Sequence, residues 1–361
     1  MKIGILTYHR SHNYGALLQA IALRYVLTEK GHDVSFVDYW PAYHKRFYSL
    51  FSFHEMKQKG FKGGLLYLKK CVLDYSFRRE RFATFQSFIH QYIEPYLSSC
   101  SDSYDMIIHG SDQIWRKQIG TKMYNPTYFG NHNIKCSKRV SYAASMGVLP
   151  TKESDIQLLK SYFACLDAIS VRETDLKILV QNCGYTCEQH LDPTLLLSKE
   201  QWCSIFNINQ KKTGDYVLYY DLLEDSFDMT EIQRFASAHH LTLKTIFGRQ
   251  SSGKNTDDKF YVANPKTLLD LIYHASFVFT SSFHGLVFAL IFHKPFYASF
   301  STNSGRAESI LDVLKLKNYL IAPKSSIDQN YPIIDYQQVD EFLDVLRQKS
   351  LHYLETFMID K

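Results

Sequence analysis

The 361-residue sequence contains no Cys-x-x-Cys pair, and its seven cysteines (Cys71, Cys100, Cys136, Cys165, Cys183, Cys187 and Cys203) are odd in number and scattered. Neither a disulfide framework nor a zinc site is indicated, and a reducing, cytoplasmic compartment is expected. Long apolar runs are missing too. The opening, Met1 to Tyr8, is too short for a signal sequence. Phe277 to Phe292 is interrupted by Thr280, Ser281, Ser282 and His284, short of the ~20 apolar residues of a membrane span, so no segment is expected to cross a bilayer. Gly-x-Gly-x-x-Gly, His-Glu-x-x-His and Gly-x-Ser-x-Gly do not occur. Gly248 to Asn255 nearly spells a phosphate-binding loop, but Asn255 stands where a magnesium-ligating Ser or Thr belongs, and Asp257 to Val262 does not start a helix. A nucleoside triphosphatase is therefore not expected, and no metal-ligand cluster is visible.

The composition, 45% hydrophobic and 21% charged, suits two globular domains. The net charge of +5 is unevenly placed. Between Pro41 and Phe82, ten Lys and Arg face three acidic residues, so this stretch is basic while the rest of the chain is close to neutral. That argues for one local basic surface and against a nucleic-acid partner. The same stretch carries ten aromatics, among them Phe47, Phe53, Phe61 and Phe82. Such a mixture fits peripheral contact with an anionic membrane, on its inner face. The plain alternative is a helical subdomain with an aromatic core and solvated lysines.

Strands and helices alternate from the first residue. Lys2 to Tyr8 reads as a strand, Leu17 to Val26 as part of a helix ending at Gly31, and Asp33 to Tyr39 as the next strand, a βαβ unit. Residues 41–95 read as a mostly helical insertion. Further strands are expected at Tyr104–His109, Arg139–Ala144, Ala168–Val171 and Glu188–Leu191, with a helix over Glu173–Val180. A second series follows: strands at Asp215–Tyr220, Leu241–Phe247, Phe277–Thr280 and Pro295–Phe300, and helices at Thr230–His239, after the Asn264-Pro265 cap, at Phe283–His293 and at Ser304–Leu314. The expected fold is α/β, two Rossmann-like domains facing across a cleft, with an N-terminal domain over 1–195, a C-terminal one over 196–325 and a tail helix within 326–361.

Ligands of open parallel sheets bind beyond the carboxyl ends of the strands. Asn13, Tyr14 and Gly15 lie in the first such loop, where Asn13 or a neighbour is placed to cap the helix. Gly110, Ser111, Asp112 and Gln113 follow another strand. Arg172 stands where Ala168–Val171 stops; a salt bridge with Glu173 or Asp175 is the structural alternative to anion binding. Thr280, Ser281 and Ser282 open into a helix whose first turn holds His284, suited to anion binding and proton transfer. Arg306, after Ser304-Gly305, is a second candidate anion ligand.

In order and spacing, Asn13-Tyr14-Gly15-Ala16 with Gln19, Gly110-Ser111-Asp112-Gln113-Ile114-Trp115, Ser141-Tyr142-Ala143-Ala144-Ser145, Ser170-Val171-Arg172-Glu173, Asp192-Pro193-Thr194 and Ser282-Phe283-His284-Gly285 resemble the polysaccharide pyruvyl transferase family. The resemblance runs from about Lys2 to Leu316. It implies a GT-B-like fold and transfer of the enolpyruvyl group of phosphoenolpyruvate to two hydroxyls of a sugar, with release of phosphate, in capsule, exopolysaccharide or cell-wall synthesis. Arg172 and His284 match the family's arginine and histidine, whereas Ser281 stands where an acidic residue is common. On this reading Arg172 and Arg306 hold the donor, helped by Thr280, Ser281 and Ser282. His284 and Asp112 share the acid/base work, and Asn13, Tyr14, Gly15, Gly110, Ser111, Gln113 and Ser145 line the substrates. The acceptor is a nucleotide sugar or lipid-linked saccharide, and no cofactor is expected. A GT-B nucleotide-sugar glycosyltransferase and a non-enzymatic glycan-binding protein are the rival readings.

Overall fold

The computed structural model describes residues 1–358 except 59, 119–120, 211–213, 222–225, 248–257, 261–262 and 302–303. The phosphate-loop-like Gly248 to Asn255 lies outside the described residues.

The first half alternates strand and helix around one parallel sheet. Its first elements are β1 (Lys2–Leu6), α1 (Tyr14–Glu29) and β2 (Asp33–Val37), followed by the helical insertion α2 (Ala42–Phe47), α3 (Phe53–Gln58), α4 (Gly60–Leu73) and α5 (Tyr75–Tyr92). β3 (Leu97–Ser98), β4 (Ser103–His109) and β5 (Lys135–Ser141) complete a sheet of order β3-β2-β1-β4-β5. Beyond α6 (Glu153–Phe163), the short pair β6 (Ser170–Val171) and β7 (Glu188–Gln189) flanks α7 (Thr174–Asn182). Parallel bridges from Val140 to Ala168 and from Ala144 to Val171 tie this pair to the edge of the sheet.

After α8 (Lys199–Phe206), the second half repeats the plan with β8 (Tyr216–Asp221), α9 (Met229–Ala238), β9 (Thr242–Phe247), β10 (Asp258–Phe260) and α10 (Pro265–His274). It continues with β11 (Phe277–Thr280), α11 (Phe283–Ile291), β12 (Phe296–Ala298) and α12 (Gly305–Val313). The strand order β10-β9-β8-β11-β12 is the order of the first sheet, and all its pairings are parallel. The chain is thus an α/β protein built of two Rossmann-like units. α13 (Tyr336–Thr356) returns to the first sheet, where the Tyr353 hydroxyl donates to the Ser141 carbonyl at 3.0 Å and Ser350 Oγ accepts from the Leu191 amide at 3.1 Å.

Two helices set the position of the cleft. α1 is buried around almost its whole circumference, and all nine residues of α11 are buried. Helices apolar on every face belong inside a protein. Each follows the central strand or its neighbour in its own sheet, and residues from both halves share one continuous core that includes Leu17, Leu18, Leu286 and Phe288. Their first turns meet: a Cβ on Gly15 of α1 would lie 1.9 Å from Nδ1 of His284 in α11. Only a glycine lets the backbone come this close to the imidazole. Both helices therefore point positive dipole ends at the same place.

Among the described residues, no helix is long and apolar enough to cross a membrane.

Candidate active site

Arg172 sits in the turn after β6, its backbone held by the Ala144 carbonyl at 3.1 Å and by Gln189 Nε2 at 3.1 Å. The side chain is buried. Its Nη2 lies 2.6 Å from Asp192 Oδ2 and donates to Ser111 Oγ at 2.5 Å. The ion-pair partner is thus Asp192, in place of the Glu173 or Asp175 that sequence proximity suggested. The turn that follows directs the Glu173 carboxylate toward the Ser145 hydroxyl, which donates to it.

Asp192 is the residue that sequence reasoning left without a role. Its Oδ1 caps the Pro193–Leu196 turn, accepting from the Thr194 amide at 2.9 Å and hydroxyl at 2.6 Å. Its Oδ2 also stands 3.5 Å from Nε2 of His284. Burial alone would raise this carboxyl, but the Arg172 and His284 charges outweigh it and hold Asp192 well below the usual carboxylate range. Glu173 goes the other way: burial pushes its carboxyl up despite Arg172. The two acids beside one arginine therefore differ in proton affinity.

Arg306, at the start of α12, completes the group. Burial and the neighbouring Arg172 charge lower its proton affinity, while Glu173, Asp112 and Asp192 act in the opposite sense. An arginine remains charged through such shifts. The Cζ atoms of Arg172 and Arg306 lie 5.4 and 5.0 Å from the centre of the Phe283 ring. Arg172 Nε and Nη1 and Arg306 Nε are buried with no hydrogen-bond partner among the described residues. Unfilled guanidinium donors in a buried setting are costly unless an anion accepts from them. A cavity of about 600 Å³ is lined by Arg172, Asp192, Phe283 and Arg306.

The other expected residues divide into supports and lining. Asn13 caps α1 by accepting from the Ala16 amide at 3.1 Å. Ser111 is locked by Gln19, whose Oε1 accepts from its amide at 3.0 Å, and donates its hydroxyl to the Ala143 carbonyl. Gly110 takes φ +137°, and a Cβ there would lie 2.2 Å from the Tyr142 carbonyl oxygen. Asp112 takes the left-handed φ of 67° and its carbonyl accepts from the Ser145 amide at 3.0 Å. Gln113 is not brought to the arginines. It lies on a separate cavity of about 310 Å³ beside Arg116, Lys117 and Tyr124.

The Thr280-Ser281-Ser282 segment is turned inward, contrary to its expected role of offering hydroxyls to an anion. Thr280 Oγ1 accepts from the Ser282 amide at 3.0 Å, Ser282 Oγ caps α11 at the Gly285 amide, and the Ser281 hydroxyl donates to the Asp221 carboxylate. Asp221, buried at the end of β8, also accepts from the Tyr219 hydroxyl. The acidic group that Ser281 lacks is thus supplied from the adjacent strand.

The insertion packs against the loop after β1 and the start of α1. His44 of α2 packs edge-on against Tyr8, ring centres 4.3 Å apart, and burial lowers its proton affinity to about 4 although Asp112 opposes this. Arg81 of α5 lies 5.7 Å from the Tyr14 ring and 4.9 Å from that of Phe85, and the Tyr14 ring is 6.0 Å from Tyr220 of the second half. Their distance in sequence from the strand-end loops gave no signal of this placement.

Among known proteins, the Staphylococcus aureus MnaA–UDP structure has 10% sequence identity, covers 97% of this chain and 90% of its own, and gives a TM-score of 0.46. The Methanocaldococcus jannaschii UDP-GlcNAc 2-epimerase with UDP-GlcNAc and UDP has 11% identity, 96% and 93% coverage, and a TM-score of 0.44. The glycosyltransferase SnogD of Streptomyces nogalater has 11% identity, 97% and 94% coverage, and a TM-score of 0.42. Likenesses at this level bear on neither substrate nor chemistry. No curated relative matches the chain. The family model described as polysaccharide pyruvyl transferase matches residues 13–304, a span that takes in Gly15, Ser111, Arg172, Asp192 and His284. The chain belongs to the polysaccharide pyruvyl transferase family.

Proposed function

We propose that this protein transfers the enolpyruvyl group of phosphoenolpyruvate to two hydroxyls of a glycan sugar, forming a pyruvate ketal and releasing phosphate. The observation that carries this reading is the buried Arg172 beside the half-buried Arg306, with guanidinium donors that no described residue fills. Phosphoenolpyruvate bears a carboxylate and a phosphate, and planar guanidinium groups donate to either in bidentate fashion. The converging N-termini of α1 and α11 add favourable potential for an anion.

Ketal formation needs a proton on the enol methylene and the removal of two hydroxyl protons. C3 gains a proton and becomes a methyl group, and one sugar oxygen bonds to C2. The bond from C2 to the phosphate oxygen breaks with its electron pair leaving on phosphate, and the second sugar oxygen closes the ketal. Of the two protons released, one balances that taken up at C3 and the other leaves on the phosphate. His284 is assigned the proton donated at the donor, with Asp192 orienting its ring as a carboxylate orients a catalytic imidazole. Asp112, half-buried and near enough for its charge to act on Arg306, is assigned the acceptor hydroxyls.

Mass spectrometry of glycans from cells with and without the gene tests the reading. A mass increment of one pyruvate ketal, lost on deletion and not restored by Arg172→Ala, is expected. Glycans identical in both strains would overturn it.

A further inference from the structure

The insertion between β2 and β3 carries a surface for which pyruvyl transfer has no use. Of the fourteen residues of α4, only Gly64 and Cys71 are buried. Gly64 is the point of attachment, since a Cβ there would come 2.9 Å from the Met56 carbonyl oxygen of α3. The face beside this attachment looks outward. Phe61, Leu65, Leu68 and Val72, spaced i, i+4, i+7 and i+11, form one stripe, with Leu66 and Leu73 further round beside Lys62 and Lys69, and all six are 40–91% exposed. Phe53 of α3 is also exposed. An apolar surface this continuous marks a docking site.

The charge on the helix points to what docks. α4 has no acidic residue, while Lys62, Lys69 and Lys70 are exposed on it, as are Lys57 and Arg79 on the helices before and after. A second copy of this chain would set lysine against lysine on the same face. An anionic surface instead satisfies both features at once, since lysine stems lie along apolar surface while their ammonium groups reach outward. At fourteen residues the helix is too short to span a bilayer and of the kind that lies in its interface.

We propose that α4 docks this protein on an anionic lipid bilayer, with Phe61, Leu65, Leu68 and Val72 in the interface and Lys62, Lys69 and Lys70 against the headgroup phosphates. This placement is independent of the pyruvyl-transfer reading.

Vesicle flotation of the full chain tests the proposal, using phosphatidylcholine vesicles with and without phosphatidylglycerol. The protein is expected to float with the anionic vesicles about tenfold more than with the zwitterionic ones, and less as salt rises. Leu65→Asp with Val72→Asp, and separately Lys62→Glu with Lys69→Glu and Lys70→Glu, are each expected to cut flotation about tenfold with unchanged melting temperature, because the altered side chains are exposed. Failure to float with anionic vesicles at low salt overturns the proposal, as does flotation unaffected by both sets of variants. A dimer in sedimentation that Leu65→Asp dissociates, with no vesicle capture, overturns it in favour of self-association.

Discussion

Replacing Gly15 by alanine tests whether the crossing of α1 and α11 positions His284 for chemistry. The added methyl would sit 1.9 Å from His284 Nδ1, whereas ordinary contact begins at 3.4 Å, so the ring or a helix must yield by about 1.5 Å. Neither helix can retreat cheaply, because both are packed on all sides within one core. The imidazole therefore moves. Its Nε2 is 3.5 Å from the Asp192 carboxylate, a spacing that a shift of this size does not preserve. Misplacing a reacting group by ~1 Å costs on the order of 10²-fold in rate. Gly15→Ala is accordingly expected to lower kcat for phosphate release about 100-fold. Affinity for phosphoenolpyruvate, held by Arg172 and Arg306, is expected to change little. The assay is phosphate release in the presence of acceptor, with circular dichroism and thermal melting to confirm the fold. A correctly folded Gly15→Ala protein with wild-type kcat would refute the assignment of His284.

Arg172→Gln and Arg306→Gln should each weaken phosphoenolpyruvate binding by about ten- to a hundredfold, the equivalent of about 1.5–3 kcal/mol for charge-assisted bonds, as read by isothermal titration. Asp192→Asn should destabilise the protein in a pH-dependent way. Because Arg172 and His284 hold the folded-state carboxyl below its unfolded value, ionised Asp192 stabilises the fold above about pH 4 and loses that contribution as pH falls further. Denaturant midpoints of wild type and Asp192→Asn should differ at neutral pH and converge in acid; a gap unchanged down to about pH 3 would contradict the pairing. Gly110→Ala combines a left-handed backbone with a Cβ 2.2 Å from the Tyr142 carbonyl oxygen, so a lower melting temperature or insoluble protein is expected.

The alternation of elements was legible because buried parallel strands such as Met106–Ile108 and Phe277–Phe279 read as short apolar runs that stop at polar loops. The same rule singled out Arg172, His284 and Asp112, since strand ends are where parallel sheets bind ligands, and the fold brings the first two to one carboxylate, Asp192. β6 and β7 were expected but keep only two residues each; what escaped were β3, with two residues too short to show a period, and the helices α6 and α8. Asp192 gave no local sign of its role either. In sequence Asp192-Pro193-Thr194 is a turn with a cap, and only the fold sets that carboxylate between an arginine of the first unit and a histidine of the second. The hydroxyls of Thr280, Ser281 and Ser282 misled for the converse reason: polar residues at a strand end look available, but caps and the neighbouring Asp221 claim them.

The most direct measurement is to incubate the purified protein with the acceptor glycan and phosphoenolpyruvate, and in parallel with nucleotide sugars, and to quantify inorganic phosphate and nucleoside diphosphate. The account predicts phosphate released in step with ketal formed, only from phosphoenolpyruvate, and abolished in Arg172→Gln. Release of nucleoside diphosphate from a nucleotide sugar, with phosphoenolpyruvate left intact, would contradict it.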